Sequence, residues 1–499
     1  MLPQATYVFK HALIQDAAYE SLLKSTRQQY HQRIAQVLEA QFPETAEAQP
    51  ELLAHHCTEA GLIEQAVGYW HQAGQRAIER SAHVEAISHL TKGLELLQTL
   101  PETRERVQRE VDMHITLGAS LIATQGYGAP EVAQTYSRAG QLCHHLDNPP
   151  QLFPVLRGLW NYYYVRTDFR TAHALGKELL ALAQQVQDSA MLVAAHRALG
   201  TTLFWMGAVT TAHTHFAQGI ALYDLQQHRA SAFLYGEDAG VICHIYTAWA
   251  LWYFGYPEQG LTRSHAAVTL AQQRAHPYSL SFVLSFAATL HQFCREGRYT
   301  QRHAEAVMTL AKEQGFPVWM AWGSLLGGWA LVQQGQAQEG IEQIRQGMMA
   351  WRATDAEGTR PYFLALLAEA HGTLGEPEVG LTVLTEALAL VDITGERWYD
   401  PELYRLKGEL LLQQHANNQA EAEDCFHHAL DIARTQQAKS FELRTTTSLA
   451  RLWQQQGKRQ EAHDLLAPIY NWFTEGFDTA DLQEAKALLD ALGEERHDL

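Results

Sequence analysis

Ala450-Arg451-Leu452-Trp453-Gln454-Gln455-Gln456-Gly457-Lys458-Arg459-Gln460-Glu461-Ala462-His463-Asp464-Leu465-Leu466 is the phrase on which the fold turns. A small residue, Ala450, is followed after seven positions by Gly457, after five more by Ala462 and after four more by the bulky Leu466. Small residues spaced three, four or seven apart fall on one helical stripe and let two antiparallel helices approach closely. A glycine between them ends the first helix by accepting a left-handed conformation. The bulky residue then fills the space to the next pair.

The same spacing recurs at Gly200, Gly207, Ala212, Phe216 and Gly219, and at Ala368, Gly375, Gly380, Leu384 and Ala387. Gly328, Gly335, Gly340, Ile344 and Gly347 repeat it, and near the N-terminus so do Ala54, Gly61, Ala66, Trp70 and Ala73. Ala248, Gly255, Gly260 and Ala267 keep it with Ser264 at the bulky place. Second-helix anchors at Ala133, Ala172, Ala212, Gly260, Gly340, Gly380, Ala422 and Ala462 lie near 40 residues apart, with one gap of 48 and one of 80. The 80-residue gap should hold a degenerate hairpin, with helices within Ser279 to Gln314 broken at Arg295-Glu296-Gly297. The small-residue signature resembles that of tetratricopeptide repeats (TPR), although the period is longer than their usual ~34 residues. The expected fold is an all-α, TPR-like superhelical solenoid of antiparallel hairpins. Residues 1–43 read as a helical adaptor, 44–105 as a short TPR-like section, 106–490 as the long solenoid and 491–499 as a tail.

At 499 residues the chain exceeds the size at which one globular core stops growing, which favours a repeat array. A net charge of −18, with no basic run beyond pairs such as Lys458-Arg459, argues against nucleic acid as a partner. Five scattered cysteines suit a reducing cytoplasm better than a disulfide framework. Met1 to Lys10 lacks a signal-peptide pattern, and the apolar stretch Ser279 to Leu290 is short of the ~20 residues a bilayer needs, so no membrane partner is expected.

The opening Tyr7-Val8-Phe9-Lys10-His11-Ala12-Leu13-Ile14-Gln15-Asp16-Ala17-Ala18-Tyr19, with Arg27 and His31-Gln32-Arg33-Ile34-Ala35, is distinctive. So are Gln49-Pro50-Glu51-Leu52-Leu53-Ala54-His55-His56, Glu396-Arg397-Trp398-Tyr399, Glu402 to Leu410 and Gly476 to Leu482. Together they resemble the C-terminal region of large bacterial signalling proteins in which a class III adenylate/guanylate cyclase precedes a STAND/AAA-type ATPase and a TPR array. That resemblance implies a peptide, a partner domain such as an upstream NTPase or cyclase, or a small ligand as what the chain binds. No Gly-x-x-x-x-Gly-Lys-Ser/Thr run and no Asp-bearing cyclase signature occurs in this chain, so neither activity is carried over to a residue here.

No catalytic, cofactor or metal residue is singled out. The doublets His55-His56, His144-His145 and His427-His428 place adjacent side chains about 100° apart on a helix, which argues against both facing one ion. No Gly-x-Ser-x-Gly elbow occurs. First helices of TPR hairpins line the concave groove, and register projects Arg157, Asn161, Tyr164, Arg197, Thr201, Trp249, Trp252, Trp329, Glu369, Arg405 and Glu409 into it. Trp, Tyr and Arg together have the composition of binding hot spots. Equally, large aromatics dominate cores, so several of the tryptophans are candidates for filler between hairpins. The segment His228 to Gly240 interrupts the repeat and reads as an inter-repeat turn, with a place on the binding face as the alternative.

Overall fold

The computed structural model describes residues 17, 19–143, 145–146, 150–228, 232 and 236–493. The opening phrase before Ala17, Ala18, the His144 of one doublet, residues 229–231 and 233–235 of the interrupting segment and the last six residues of the expected tail lie outside them. The described residues form 24 α-helices, one 3₁₀ turn and no strand. No helix among them is long and apolar enough to cross a membrane. By contacts the chain divides into Met1–Ser120 with Arg138–Pro149, and Leu121–Ser137 with Pro150–Leu499.

In the first unit, the helix Ile63–Glu79 packs against both Pro50–Ala60 and His83–Leu97, so one helix serves two neighbours. Its small face, Ala66 and Ala73 with Trp70, meets Ala35, Ala54 and Cys57 in one core.

The second unit is a stack of hairpins. Their first helices are Leu152–Val165, Ser189–Trp205, Ala239–Tyr253, Pro277–Phe293, Pro317–Gln333, Arg360–Leu374, Asp400–Gln414 and Lys439–Gln455, and Ala480–Gly493 caps the end. The first helices form an inner layer: nearly every residue of Ala239–Tyr253 is buried. The second helices form an outer layer and bury only a narrow stripe, such as Gly260, Ser264, Ala267 and Ala271 of Pro257–Arg274. That division follows from the sequence, because a first helix touches its own partner and the first helices on either side.

Glycine works as expected at the joints: Gly207, Gly255, Gly335, Gly375 and Gly457 have φ between 80° and 88°. The 80-residue gap does hold a hairpin, Pro277–Phe293 with Gly297–Gln314. Arg295 takes the left-handed joint at φ 60°, and the Glu296 N–H closes the turn on the His291 carbonyl at 2.9 Å, as Tyr256 does on Leu251 at 2.8 Å. Thr300, fully buried, stands at the anchor place midway between Gly260 and Gly340. Losing both the glycine and the small anchor took this repeat out of the recurrent spacing, so that only the length of the gap pointed to it. In the next hairpin the helices approach so closely that a Cβ on Gly340 would come 2.4 Å from the Gly328 carbonyl oxygen.

Candidate functional site

Arg157 and Asn161 on Leu152–Val165, and Arg197 and Thr201 on Ser189–Trp205, face the interior of the second unit and are all at least 98% buried. Arg157 and Arg197 converge on Glu237, a residue of the interrupting segment. Arg157 donates to Glu237 Oε1, and Arg197 donates to Oε2 at 3.0 Å. The Tyr127 hydroxyl donates to the same Oε2 at 2.8 Å. Beside Glu237, Asp238 caps the helix Ala239–Tyr253 by accepting from the Val241 N–H. The segment therefore does more than the plain turn expected of it: it delivers the carboxylate that partners two buried guanidiniums. Without that carboxylate both charges would sit desolvated in the core.

Next to this cluster lies a small cavity of about 50 Å³, walled by Tyr164, Trp205, Phe286, Trp319, Trp322 and Trp351. Asn161 and Arg197 line it too, and Asn161 Nδ2 has no hydrogen-bond partner among the described residues. Tyr164 stacks on Trp160 at 5.1 Å and its hydroxyl lies 3.3 Å from that of Tyr246.

Farther along the interior, the first helices do not leave an open groove. Trp249 is fully buried, stacked on Phe286 at 4.2 Å and on Trp398 at 5.6 Å. Trp252 packs on Phe293 at 4.7 Å, with the Arg444 guanidinium 5.1 Å over its ring. Trp329 is 1% exposed and donates from Nε1 to Glu369 at 2.9 Å. These three tryptophans are core filler, the reading that balanced the hot-spot one. What closes the interior is Glu396-Arg397-Trp398-Tyr399, a connector that reaches across to earlier hairpins. The Arg397 N–H bonds the Trp205 carbonyl at 2.8 Å, and the Tyr253 hydroxyl bonds the Trp398 carbonyl at 2.9 Å. Glu396 accepts from the Trp398 indole and from the Thr359 N–H, both at 2.9 Å. Burial raises the Glu396 carboxyl to about 7 and that of Asp400 to about 6.

The remaining expected residues, Glu369, Arg405 and Glu409, meet elsewhere, in a polar cleft of about 350 Å³ on the last hairpins. Arg405 donates twice to Glu402, each at 2.9 Å, and the Ser448 hydroxyl donates to Glu409 at 2.5 Å. Arg444 reaches Glu402 at 3.3 Å and Asp481 at 2.8 Å. Burial alone would raise the Glu402 carboxyl, but Arg405 and Arg444 hold it down at about 2. Burial raises Glu369. Arg295, Arg451 and Glu484 complete the rim, with side chains 37%, 43% and 43% exposed. Register projected Arg405 and Glu409 but missed Glu402 and Arg444, which offsets taken from a single small anchor do not reach.

No family model matches the chain. An uncharacterised protein of Rhizobium meliloti (strain 1021) is 24% identical over 453 residues, covering 90% of this chain and 44% of its own length. The chain thus spans less than half of that relative. Among solved structures, a Rap protein complexed with Competence and Sporulation Factor aligns over 87% of this chain and 99% of its own, at TM-score 0.51 and 13% identity. Cut9, in the Cut9–Hcn1 hetero-tetramer of the APC/C, aligns over 93% of this chain at TM-score 0.50 and 12% identity. The fold is a TPR-like helical solenoid. These likenesses are of fold, and the TPR-type fold is typical of protein-interaction modules.

Proposed function

We propose that the chain is a non-catalytic interaction module whose polar cleft, around Arg405, Glu409, Arg451 and Glu484, binds a charged polypeptide segment or partner domain. The observation that carries this reading is a contrast in the inner layer: aromatic side chains fill it along Ala239–Tyr253 and Pro277–Phe293, whereas at the last hairpins it opens into a charged cleft. Arginines and carboxylates interleaved at a cleft rim favour a partner with alternating charge, held by charge-assisted hydrogen bonds. The Rap complex with its factor supports occupancy of such a solenoid by a second molecule. The longer relative and the sequence resemblance support a role in a larger bacterial signalling protein, regulating an attached NTPase or cyclase in the cytoplasm.

The test is fluorescence polarisation of this chain against arrays of labelled peptides of mixed charge. The expected result is saturable binding that Arg451→Glu weakens at least tenfold while leaving the melting temperature near that of the wild type. Binding indifferent to Arg451→Glu, or no binding at all, would overturn the cleft assignment. Nucleotide turnover by the purified chain should be blank, and steady ATP or GTP consumption that co-purifies with it would refute the non-catalytic reading.

A second reading, a receptor for a small metabolite, is favoured by one observation: the aromatic cavity beside Arg197 and the unpartnered amide of Asn161. A large, saturable thermal shift by a single compound, lost in Asn161→Leu, would select it over the first.

A further inference from the structure

The first unit brings together three imidazoles that the sequence separates. Helix Lys24–Gln41 packs on Pro50–Ala60, and Ala35, Ala54 and Cys57 join one buried core. That packing fixes His31, 7% exposed, against the doublet His55-His56. One ring nitrogen from each of the three lies within 4.8 Å of the others. His31 Nδ1 is hydrogen-bonded to His56 Nδ1 at 2.7 Å, a contact that would open to about 3.3 Å when both nitrogens bind one tetrahedral ion. The ring centroids form a near-equilateral triangle, 5.0 Å for His31 and His56, 5.7 Å for His31 and His55, and 5.4 Å for His55 and His56.

An ion bound at about 2.0–2.1 Å from each of three imidazole nitrogens in tetrahedral array sets the ring centroids roughly 5 Å apart. The observed triangle has that size. A ligating imidazole also needs its second nitrogen held, so that the tautomer and ring angle are fixed. His31 meets this requirement: its Nε2 lies 2.9 Å from the Tyr19 hydroxyl, leaving Nδ1 to face the other two rings. The adjacent rings of the doublet, taken alone, do diverge. Two rings diverging from one helix leave a gap between them, and His31, arriving from another helix, faces that gap.

We infer that His31, His55 and His56 form a binding site for a divalent transition ion of the zinc class. Neutral imidazole suits zinc, copper and nickel, and no carboxylate is needed among the first three ligands. His55 is exposed, so the fourth coordination position faces solvent and takes a water or a ligand from outside the chain. The ion would staple helix Lys24–Gln41 to helix Pro50–Ala60.

The test is calorimetric titration of the full chain, stripped with EDTA and free of any affinity tag, with Zn²⁺ alone. One equivalent should bind saturably with a micromolar or tighter Kd, and the melting temperature should rise with zinc. His55→Ala, a change at an exposed ring outside the core, should weaken binding at least tenfold. His427→Ala, in a doublet that joins no three-ligand group among the described residues, should leave binding unchanged. Substituted Co²⁺ should show visible d–d bands of a four-coordinate site in the wild type and lose them in His55→Ala. Absence of saturable binding at one equivalent, or zinc binding that survives both His55→Ala and His56→Ala undiminished, would overturn the site and leave His31 and His56 as a proton-sharing pair.

Discussion

Two stretches of the same inner layer, built on the same register, end in opposite physics. Along Ala239–Tyr253 and Pro277–Phe293 the inward positions carry Trp249, Trp252, Phe286 and Phe293, and the connector residue Trp398 fills what space they leave. Along Asp400–Gln414 and Lys439–Gln455 the inward positions carry Glu402, Arg405, Glu409, Arg444 and Ser448, and a cleft stays open. Apolar inward faces gain by collapsing on each other, since removing apolar area from water is favourable. Charged inward faces collapse less readily, because the cost of desolvating an ion can exceed what its partner returns unless, as at Arg157, Arg197 and Glu237, the geometry pairs each charge. A solenoid can therefore close one part of its interior and keep another accessible by side-chain choice alone.

The contrast can be broken most forcefully at the connector. Trp398→Ala removes a ring 1% exposed that touches at least four other aromatics, and should cost about 4 kcal/mol, read as a loss of denaturation midpoint. Close behind, Glu237→Leu leaves Arg157 and Arg197 buried without their carboxylate and should cost about 3 kcal/mol; an unchanged midpoint would show that the two guanidiniums find other partners.

The connector also gives the closed stretch a pH dependence. Glu396, with its carboxyl raised from 4.5 to about 7 by burial, holds a proton in the folded chain that the unfolded chain releases at lower pH. Its contribution is fully present below about pH 4.5 and is lost as pH rises through 7. Asp400, raised to about 6, acts in the same direction. Between pH 5 and 8 the wild type should lose on the order of 2 kcal/mol that Glu396→Gln does not, a difference that denaturation at several pH values will show. At the open stretch the expected stability effect is smallest. Arg451→Ala, at the cleft rim, should change stability by less than about 0.5 kcal/mol, and a larger loss would mean that the rim is structural.

Much of the architecture was legible because it is local. Gly457 and Ala450 lie within one hairpin, and sequence spacing reports directly on hairpins. The hairpin at Arg295 and Thr300 was found by counting through a gap, since both of its marker positions had changed chemistry. What spacing does not report is contact across the stack. Trp398 meets Trp205 and Trp249 from well over a hundred residues away, and its local sequence does not report those contacts. For the same reason the burial of Trp249 between Phe286 and Trp398 was not legible. Glu237 left one trace, the extra length of its segment. His31 left none, because it joins His55 and His56 through the packing of two helices.

The most direct test of the closed-and-open account is arginine modification of the native chain with phenylglyoxal, mapped residue by residue by mass spectrometry. The account predicts rapid modification of Arg295 and Arg451 at the cleft rim, with Arg157 and Arg197 protected until the chain unfolds. Modification of Arg157 and Arg197 at the rate of Arg451 in the folded protein would contradict it.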